Sequence, residues 1–290
     1  METSELLKKV RKIEIKIKGL SRHLFSGEYH SAFKGRGMSF SEVRSYQYGD
    51  DVRNIDWNVT ARTGEPHVKV YEEERELTVM LLVDVSRSAF FGSVKQFKSE
   101  MITEICALLS FSAITNNDKV GLILFTDQVE LFIPPKKGRY HILRIIRELI
   151  DFQPEGKSTD LGKTLEYFHH VIKKRSICFV LSDFLTAGYE NALRVAARRH
   201  DVIGVRITDA REETLPDIGL LPVEDAETGK TAWLDTSSER VRDQYARRFE
   251  DSSRYFKGVF VKSGADTIDI RTHESYVHAL LNFFQKRAGQ

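Results

Sequence analysis

The sequence of 290 residues holds only two cysteines, Cys106 and Cys178, and each lies in an apolar run. Thiols in Ile-Cys-Ala-Leu-Leu and Ile-Cys-Phe-Val-Leu settings behave as small buried hydrophobes, and two of them cannot make the disulfide framework of small secreted domains. An excess of charge of one sign is also missing. Lys and Arg number 44 against 42 Asp and Glu, a formal net charge of +2. Bulk nucleic-acid binding needs a strongly basic face, so no nucleic acid is expected among the partners. No window approaches the ~20 apolar residues that span a bilayer. Met1 to Leu20 alternates lysine with aliphatic residues and lacks the continuous apolar stretch of a secretory signal. A cytoplasmic location is the resulting expectation, with membrane contact at most peripheral, through the lysine face of that opening segment. Internal repeats and low-complexity segments are absent. None of the nine histidines has zinc-type spacing to another ligand. Lys34-Gly-Arg-Gly37 lacks the lysine–hydroxyl ending of a phosphate-binding P-loop, and no Gly-x-Ser-x-Gly nucleophile elbow occurs.

What is present is enough apolar residue, 41% of the chain, for a sizeable core. The pattern changes near Glu76. Residues 1–76 read as an accessory segment. Leu6, Val10, Ile13, Ile17 and Leu20 recur at helical spacing, and loops with short strands at Phe40–Tyr46 and His67–Tyr71 follow. From Leu77 onward, apolar strand-length runs alternate with helices. Strands are expected at 78–84, 120–125, 129–133, 176–182 and 201–207, with helices at 94–114, 140–151, 161–174 and 189–199. Strand–helix alternation gives a mostly parallel sheet covered on both faces. Asp127-Gln128 turns one hairpin, which adds an antiparallel edge strand. Residues 210–290 read as the rest of the same sheet and domain, with a strand at 231–234, a helix at 238–255, a short strand at 258–262 and a helix at 275–286. The fold class is therefore α/β and doubly wound, with one domain over 77–290 behind the accessory segment.

Open parallel sheets bind ligands beyond the carboxyl ends of their strands. Three oxygen-rich segments fall there: Asp84-Val-Ser86-Arg-Ser88 after the first strand, Gly156-Lys-Ser-Thr159-Asp160 before a helix, and Ser182-Asp183 after a central strand. Alternate residues leaving a strand point the same way, so Asp84, Ser86 and Ser88 can aim at one point. Carboxylates and hydroxyls are hard ligands. They suit Mg²⁺, Mn²⁺ or Ca²⁺ and not zinc. The bland alternative is that the same oxygens only cap helices and turns.

Asp84-x-Ser86-x-Ser88, Thr159 and Asp183 together resemble the metal-ion-dependent adhesion site of von Willebrand factor A-type domains. That resemblance implies direct ligation by Ser86, Ser88 and, in some states, Thr159. It implies action through water for Asp84 and Asp183, and completion of the shell by a partner's Asp or Glu. A second run, Gly35-Arg-Gly37 through Arg44, Tyr46, Gly49-Asp50-Asp51, Arg53, Asp56-Trp57 and Ala61-Arg62, is similar to the bacterial family encoded beside MoxR-type AAA+ ATPases, whose members pair this segment with an A-type domain. The resemblance implies a non-enzymatic binding module that works with such an ATPase on protein assemblies. A metal-dependent hydrolase using the same residues is the alternative. Two readings of the charged segment stand. In one, Asp50, Asp51, Arg53, Asp56 and Arg62 clamp it on the sheet with Trp57 as the apolar anchor. In the other it is a docking surface. Oligomeric state is not legible.

Overall fold

The structure, a computed structural model, describes residues 3–24, 38–73, 76–87, 98–156, 158–224 and 231–289. In chain order these residues form α1 (Thr3–Leu24), β1 (Met38–Ser45), a 3-10 turn at Val52–Asn54, α2 (Trp57–Thr63), β2 (His67–Glu73), β3 (Thr78–Asp84), α3 (Lys98–Thr115), β4 (Lys119–Phe125) and β5 (Val129–Lys136). There follow α4 (Arg139–Asp151), α5 (Leu161–Val171), β6 (Ile177–Ser182), α6 (Glu190–Arg199), β7 (Asp201–Thr208), α7 (Ala210–Glu213), β8 (Leu220–Glu224), β9 (Thr231–Asp235), α8 (Glu239–Lys262), β10 (Asp266–Arg271) and α9 (Tyr276–Ala288). The predicted helix start at 94 and the Lys34–Gly37 segment lie outside the described residues.

Six strands make the central sheet in the order β10-β7-β6-β3-β4-β5. All neighbours pair in parallel except β4 and β5, which form the expected antiparallel hairpin. The doubly wound, mostly parallel architecture read from the sequence is the one observed. Side chains alternate across a strand, so β3 feeds two cores at once. Val79, Leu81 and Val83 face α3, α4 and α9, whereas Met80 and Leu82 face α5, α6 and α8. A strand buried on both faces must be apolar throughout, which is why Thr78-Val-Met-Leu-Leu-Val-Asp84 carries no polar residue in its interior.

Helix α1 belongs to the first of these cores. Val10 and Ile17 are buried with α3 and α4, and Lys16 reaches Glu104 on α3 at 2.6 Å. The rest of the accessory segment is an arm. Among the described strands, β1 and β2 pair only with each other, and Val68 of β2 also bridges Ile55; α2 lies in the connection between them, with Asp56 accepting hydrogen bonds from the Asn58 and Val59 N–H groups. Among the described residues, none of the ion pairs of Asp50, Asp51, Arg53 and Asp56 reaches the central sheet, so the clamp, the first of the two readings, is not observed. Arg44 pairs with Asp50 at 2.8 Å, Arg53 with Asp51 at 2.7 Å and Lys69 with Asp56 at 3.6 Å, all within the arm. Trp57 is no anchor, being 69% exposed. It sits at the first position of a seven-residue helix, too short to turn every large side chain inward.

The last third also differs from expectation in part. Residues 258–262, expected as a strand, continue α8 to Lys262. Phe256, Val259 and Phe260 lie on one helical face and are buried, so the 3.6-residue period prevails over a short apolar run that reads either way. The strand that does complete the sheet is β10. Strand β9 pairs instead with β8 in a separate hairpin. Both cysteines are buried and free, as expected. No helix among the described residues is long and apolar enough to cross a membrane.

At the opposite end of the sheet from the strand termini discussed next, His200 is buried with Ser176, its Nδ1 2.9 Å from the serine Oγ. Burial, followed by the charges of His169 and Arg199, lowers its pKa from 6.5 to about 4. Between those values the unfolded chain binds a proton that the folded chain does not. The contribution to stability is complete above pH 6.5 and is lost as the pH falls toward 4. Urea unfolding at pH 7 and pH 5 should show a smaller loss for His200→Gln than for the parent. Equal losses would mean that other groups carry the pH response.

Candidate metal-binding site

The sheet reverses direction between β3 and β6. From β3 the chain winds outward through β4 to β5, and from β6 it winds the other way through β7 to β10. A crevice opens at such a switch point, beyond the carboxyl ends of the two central strands. Asp84 ends β3, Ser182 ends β6, and Asp183 follows it. The parallel pairing of Val83 with Leu181 fixes their separation, although 99 positions divide Asp84 from Asp183 along the chain.

Asp84 is the hub. Its Oδ1 accepts the Ser86 N–H at 3.0 Å, which turns the chain after β3, and the Ser86 hydroxyl also bonds to the carboxylate. The Ser182 Oγ donates to Asp84 Oδ2 at 2.7 Å. The Thr159 Oγ1 stands 3.5 and 3.4 Å from the two oxygens. Asp84, Ser86 and Asp183 are all buried. Burial, and then the charge of Asp183, raises the Asp84 pKa from 3.8 to about 6. Two buried carboxylates that disfavour each other's ionisation favour an added positive charge.

Thr159 is placed by its loop. The Gly156 N–H donates to Glu130 Oε1 at 2.8 Å and the Asp160 N–H to the Thr126 carbonyl at 2.9 Å. Asp160 then caps α5 through the Lys163 N–H. This ties the loop to the ends of β4 and β5, beside the Asp84 turn. Four of the five residues singled out in the sequence, Asp84, Ser86, Thr159 and Asp183, therefore meet at one rim. Ser88 lies outside the described residues.

Two groups at this rim, Lys98 and Glu212, escaped the sequence reading, and so did the contact made by a third. Ser182, expected at the rim, holds Asp84 by a direct hydrogen bond. Its place at a strand end showed that it shares a rim with Asp84, but not that the two touch. Lys98, the first described residue of α3, is 1% exposed, and its Nζ lies 3.3 Å from Asp183 Oδ2 while also pairing with Glu212. Glu212 is held in turn by α7, where it accepts the Asp209 N–H at 2.9 Å in a capping box. Burial alone would lower the Lys98 pKa, but Asp183 and Glu212 outweigh it and the pKa is raised. Nothing in the local pattern of Lys98-Ser-Glu marks that lysine as buried.

The donor set of two carboxylates and several hydroxyls suits a hard divalent cation such as Mg²⁺, Mn²⁺ or Ca²⁺. The Asp84 pKa is raised first by burial and then by the charge of Asp183, and a cation bound at the rim would offset the cost of keeping both carboxylates ionised. No cluster of three or more His, Cys, Asp or Glu side chains arranged to hold a metal occurs among the described residues. A cavity of about 750 Å³ lies elsewhere, between β10 and α9, and none of the rim residues lines it.

Comparison with known proteins places the chain among relatives. It is 28% identical over 294 aligned residues to the uncharacterized protein Rv1480 of Mycobacterium tuberculosis (strain ATCC 25618 / H37Rv), covering 99% of this chain and 91% of the relative. A shorter match, 28% over 109 residues, covers 38% of this chain and 25% of the uncharacterized protein YeaD of Bacillus subtilis (strain 168). Among solved structures, the conserved hypothetical protein BatB from Bacteroides thetaiotaomicron aligns with TM-score 0.46 and 14% identity over 74% of this chain and all of that one. The VWA domain of SpRpn10 aligns with TM-score 0.41 and 12% identity over 72% of this chain and 95% of that one. These structural likenesses concern the fold alone. Residues 42–255 match the family described as "Protein of unknown function DUF58", a span that takes in most of the arm, the rim and most of α8, and the chain belongs to that family.

Proposed function

We propose that this protein is a binding module that holds one divalent cation, Mg²⁺ by preference of availability, at the rim formed by Asp84, Ser86, Thr159 and Asp183. Ser88 is assigned to the same shell by its place in the motif. The cation would present an open position to an Asp or Glu side chain of a partner protein. The observation that carries this reading is the convergence on Asp84, where hydroxyls from the β3 turn, the 156–160 loop and the end of β6 surround a carboxylate that has a second carboxylate beside it.

What the chain's own residues do is hold and orient. Ser182 and the Ser86 N–H fix the Asp84 carboxylate, and the 156–160 loop aims Thr159 at it. A bound cation supplies positive charge that a partner carboxylate can share. Binding of this kind needs no nucleophile and no general base. A hydrolase using the same residues is the second reading. A MoxR-type AAA+ ATPase is the proposed partner, on the strength of the segment from Gly35 to Arg62. The exposed Trp57 on the arm gives that partner a second surface to grip.

A titration of the purified protein with Mg²⁺ and Mn²⁺, followed by thermal unfolding, tests the proposal. A cation at 100 times its Kd stabilises the fold by about 2.7 kcal/mol. The parent should gain Tm and Asp84→Asn should not. A partner ATPase should be retained on the immobilised parent in Mg²⁺ and lost in EDTA. Equal retention in both buffers would sink the metal-bridged contact, and turnover of phosphate or ester substrates that disappears in Asp183→Ala would favour the hydrolase.

A further inference from the structure

Lys98 has no part in the reading above, yet it is among the most buried side chains of the molecule. Burying an ammonium is costly unless it is paired, and here it is paired twice. One partner, Asp183, is a proposed metal-site residue, at 3.3 Å; the other, Glu212, lies in closer contact on α7. A divalent ion drawing on Asp183 and a lysine ammonium on the same carboxylate repel each other. At separations of a few ångströms, and in a buried rim where the effective dielectric is well below that of water, that repulsion is large enough to set the affinity of the site.

The geometry points to Lys98 as a built-in competitor for the cation. We infer that its ammonium neutralises Asp183 when the rim is metal-free, and that metal binding hands it over to Glu212. The inference rests on the metal-site reading and adds two things to it. Lys98 sets how tightly the site binds, and Glu212 makes occupancy felt at α7. That helix is joined to the sheet edge by Glu213 with Arg271 and by Asp209 with Thr272, so the handover draws on a segment that precedes the β8–β9 hairpin. Arg206 supports the same arrangement from the other side. It is buried, donates from Nε to the Asp183 carbonyl at 3.2 Å, and stacks on Phe249, which fixes the backbone while the Asp183 side chain exchanges counter-ions.

The two members of the ion pair should act in opposite directions on metal affinity, an outcome that simple loss of packing does not give. Calorimetric titration with Mn²⁺, and separately with Mg²⁺, is made on the full chain. Lys98→Met is expected to bind at least tenfold more tightly than the parent. Glu212→Gln, which leaves the ammonium to Asp183 alone, is expected to bind at least tenfold more weakly. In EDTA, Lys98→Met should melt below the parent, because Asp183 and Glu212 lose their counter-charge, and added Mn²⁺ should raise its Tm by more than it raises the parent's. If Lys98→Met does not fold, Lys98→Met with Glu212→Gln removes the pair together and should still bind more tightly than the parent. Parent-like affinity in these variants, with the parent itself binding, overturns the role of Lys98 and leaves the metal site standing. Absence of binding in the parent and in every variant overturns both.

Discussion

Gly204→Val is expected to cost about 3 kcal/mol, a fall in Tm of about 5 °C for a chain of this size. Gly204 lies in the middle of β7, between β6 and β10, and helix α8 crosses directly over it. A Cβ at that position would stand 2.6 Å from Phe260 Cε1 and 2.8 Å from Phe256 Cε2. Those rings cannot retreat, because they pack on each other and on Phe184, with centroids 4.3 to 5.4 Å apart. The glycine is there to let a helix approach a sheet, and its backbone conformation needs no special freedom. Relief should come from the ring side. Gly204→Val combined with Phe260→Ala should cost clearly less than the sum of the two single changes, since the ring that blocks the valine is gone. Scanning calorimetry of the three variants checks this. A Gly204→Val protein that melts within a degree or two of the parent would show that α8 shifts freely, and strict additivity would show that the two residues do not meet.

The second large effect falls on the rim. Gly156→Ala should leave the protein folded and weaken Mn²⁺ binding by tenfold or more. A Cβ here would lie 2.1 Å from Thr126 Oγ1, 2.3 Å from Asp127 Oδ1 and 2.7 Å from Thr126 Cβ. Asp127 is exposed and can swing away. Thr126 is fully buried, and its hydroxyl is held by Glu130 at 2.7 Å, so the 156–160 loop must move instead. Its anchor, the Gly156 N–H on Glu130, would break, and Thr159 would leave its place 3.4 Å from Asp84. Because the displaced residues lie in a surface loop, the stability loss should stay near 1–2 kcal/mol. Unchanged metal affinity in Gly156→Ala would mean that Thr159 contributes nothing to the shell. Removing the exposed carboxylate as well, in Gly156→Ala with Asp127→Ala, should not restore binding, since Thr126 remains the obstacle.

Much of the architecture was legible because burial on both faces leaves a local signature. A strand such as 78–84 or 177–182 must be apolar at every interior position, and a covering helix such as α5 must carry its apolar residues at helical spacing. The antiparallel β4–β5 hairpin was readable from Asp127-Gln128 for the same reason. Reading failed where local signals were equivocal. Residues 258–262 carry Val-Phe-Val, which suits either a strand or a helix, and only the fit of Phe256 and Phe260 against Gly204 decides for the helix. Strand β10, Asp-Thr-Ile-Asp-Ile-Arg, lies on the edge of the sheet, so it alternates polar with apolar residues and lacks the strong signal of a central strand.

The order of residues alone determined which oxygens stand at strand ends, since alternation and strand length place Asp84, Ser86 and Asp183 there whatever else surrounds them. It could not determine the company they keep. That depended on β3 lying beside β6, a pairing between segments almost a hundred residues apart that is chosen by how two apolar cores close on both faces of the sheet. The same closure buried Lys98, drew Glu212 in from α7 and left Trp57 in solvent. Charge and exposure are properties of what surrounds a side chain, and no spacing along one chain records them.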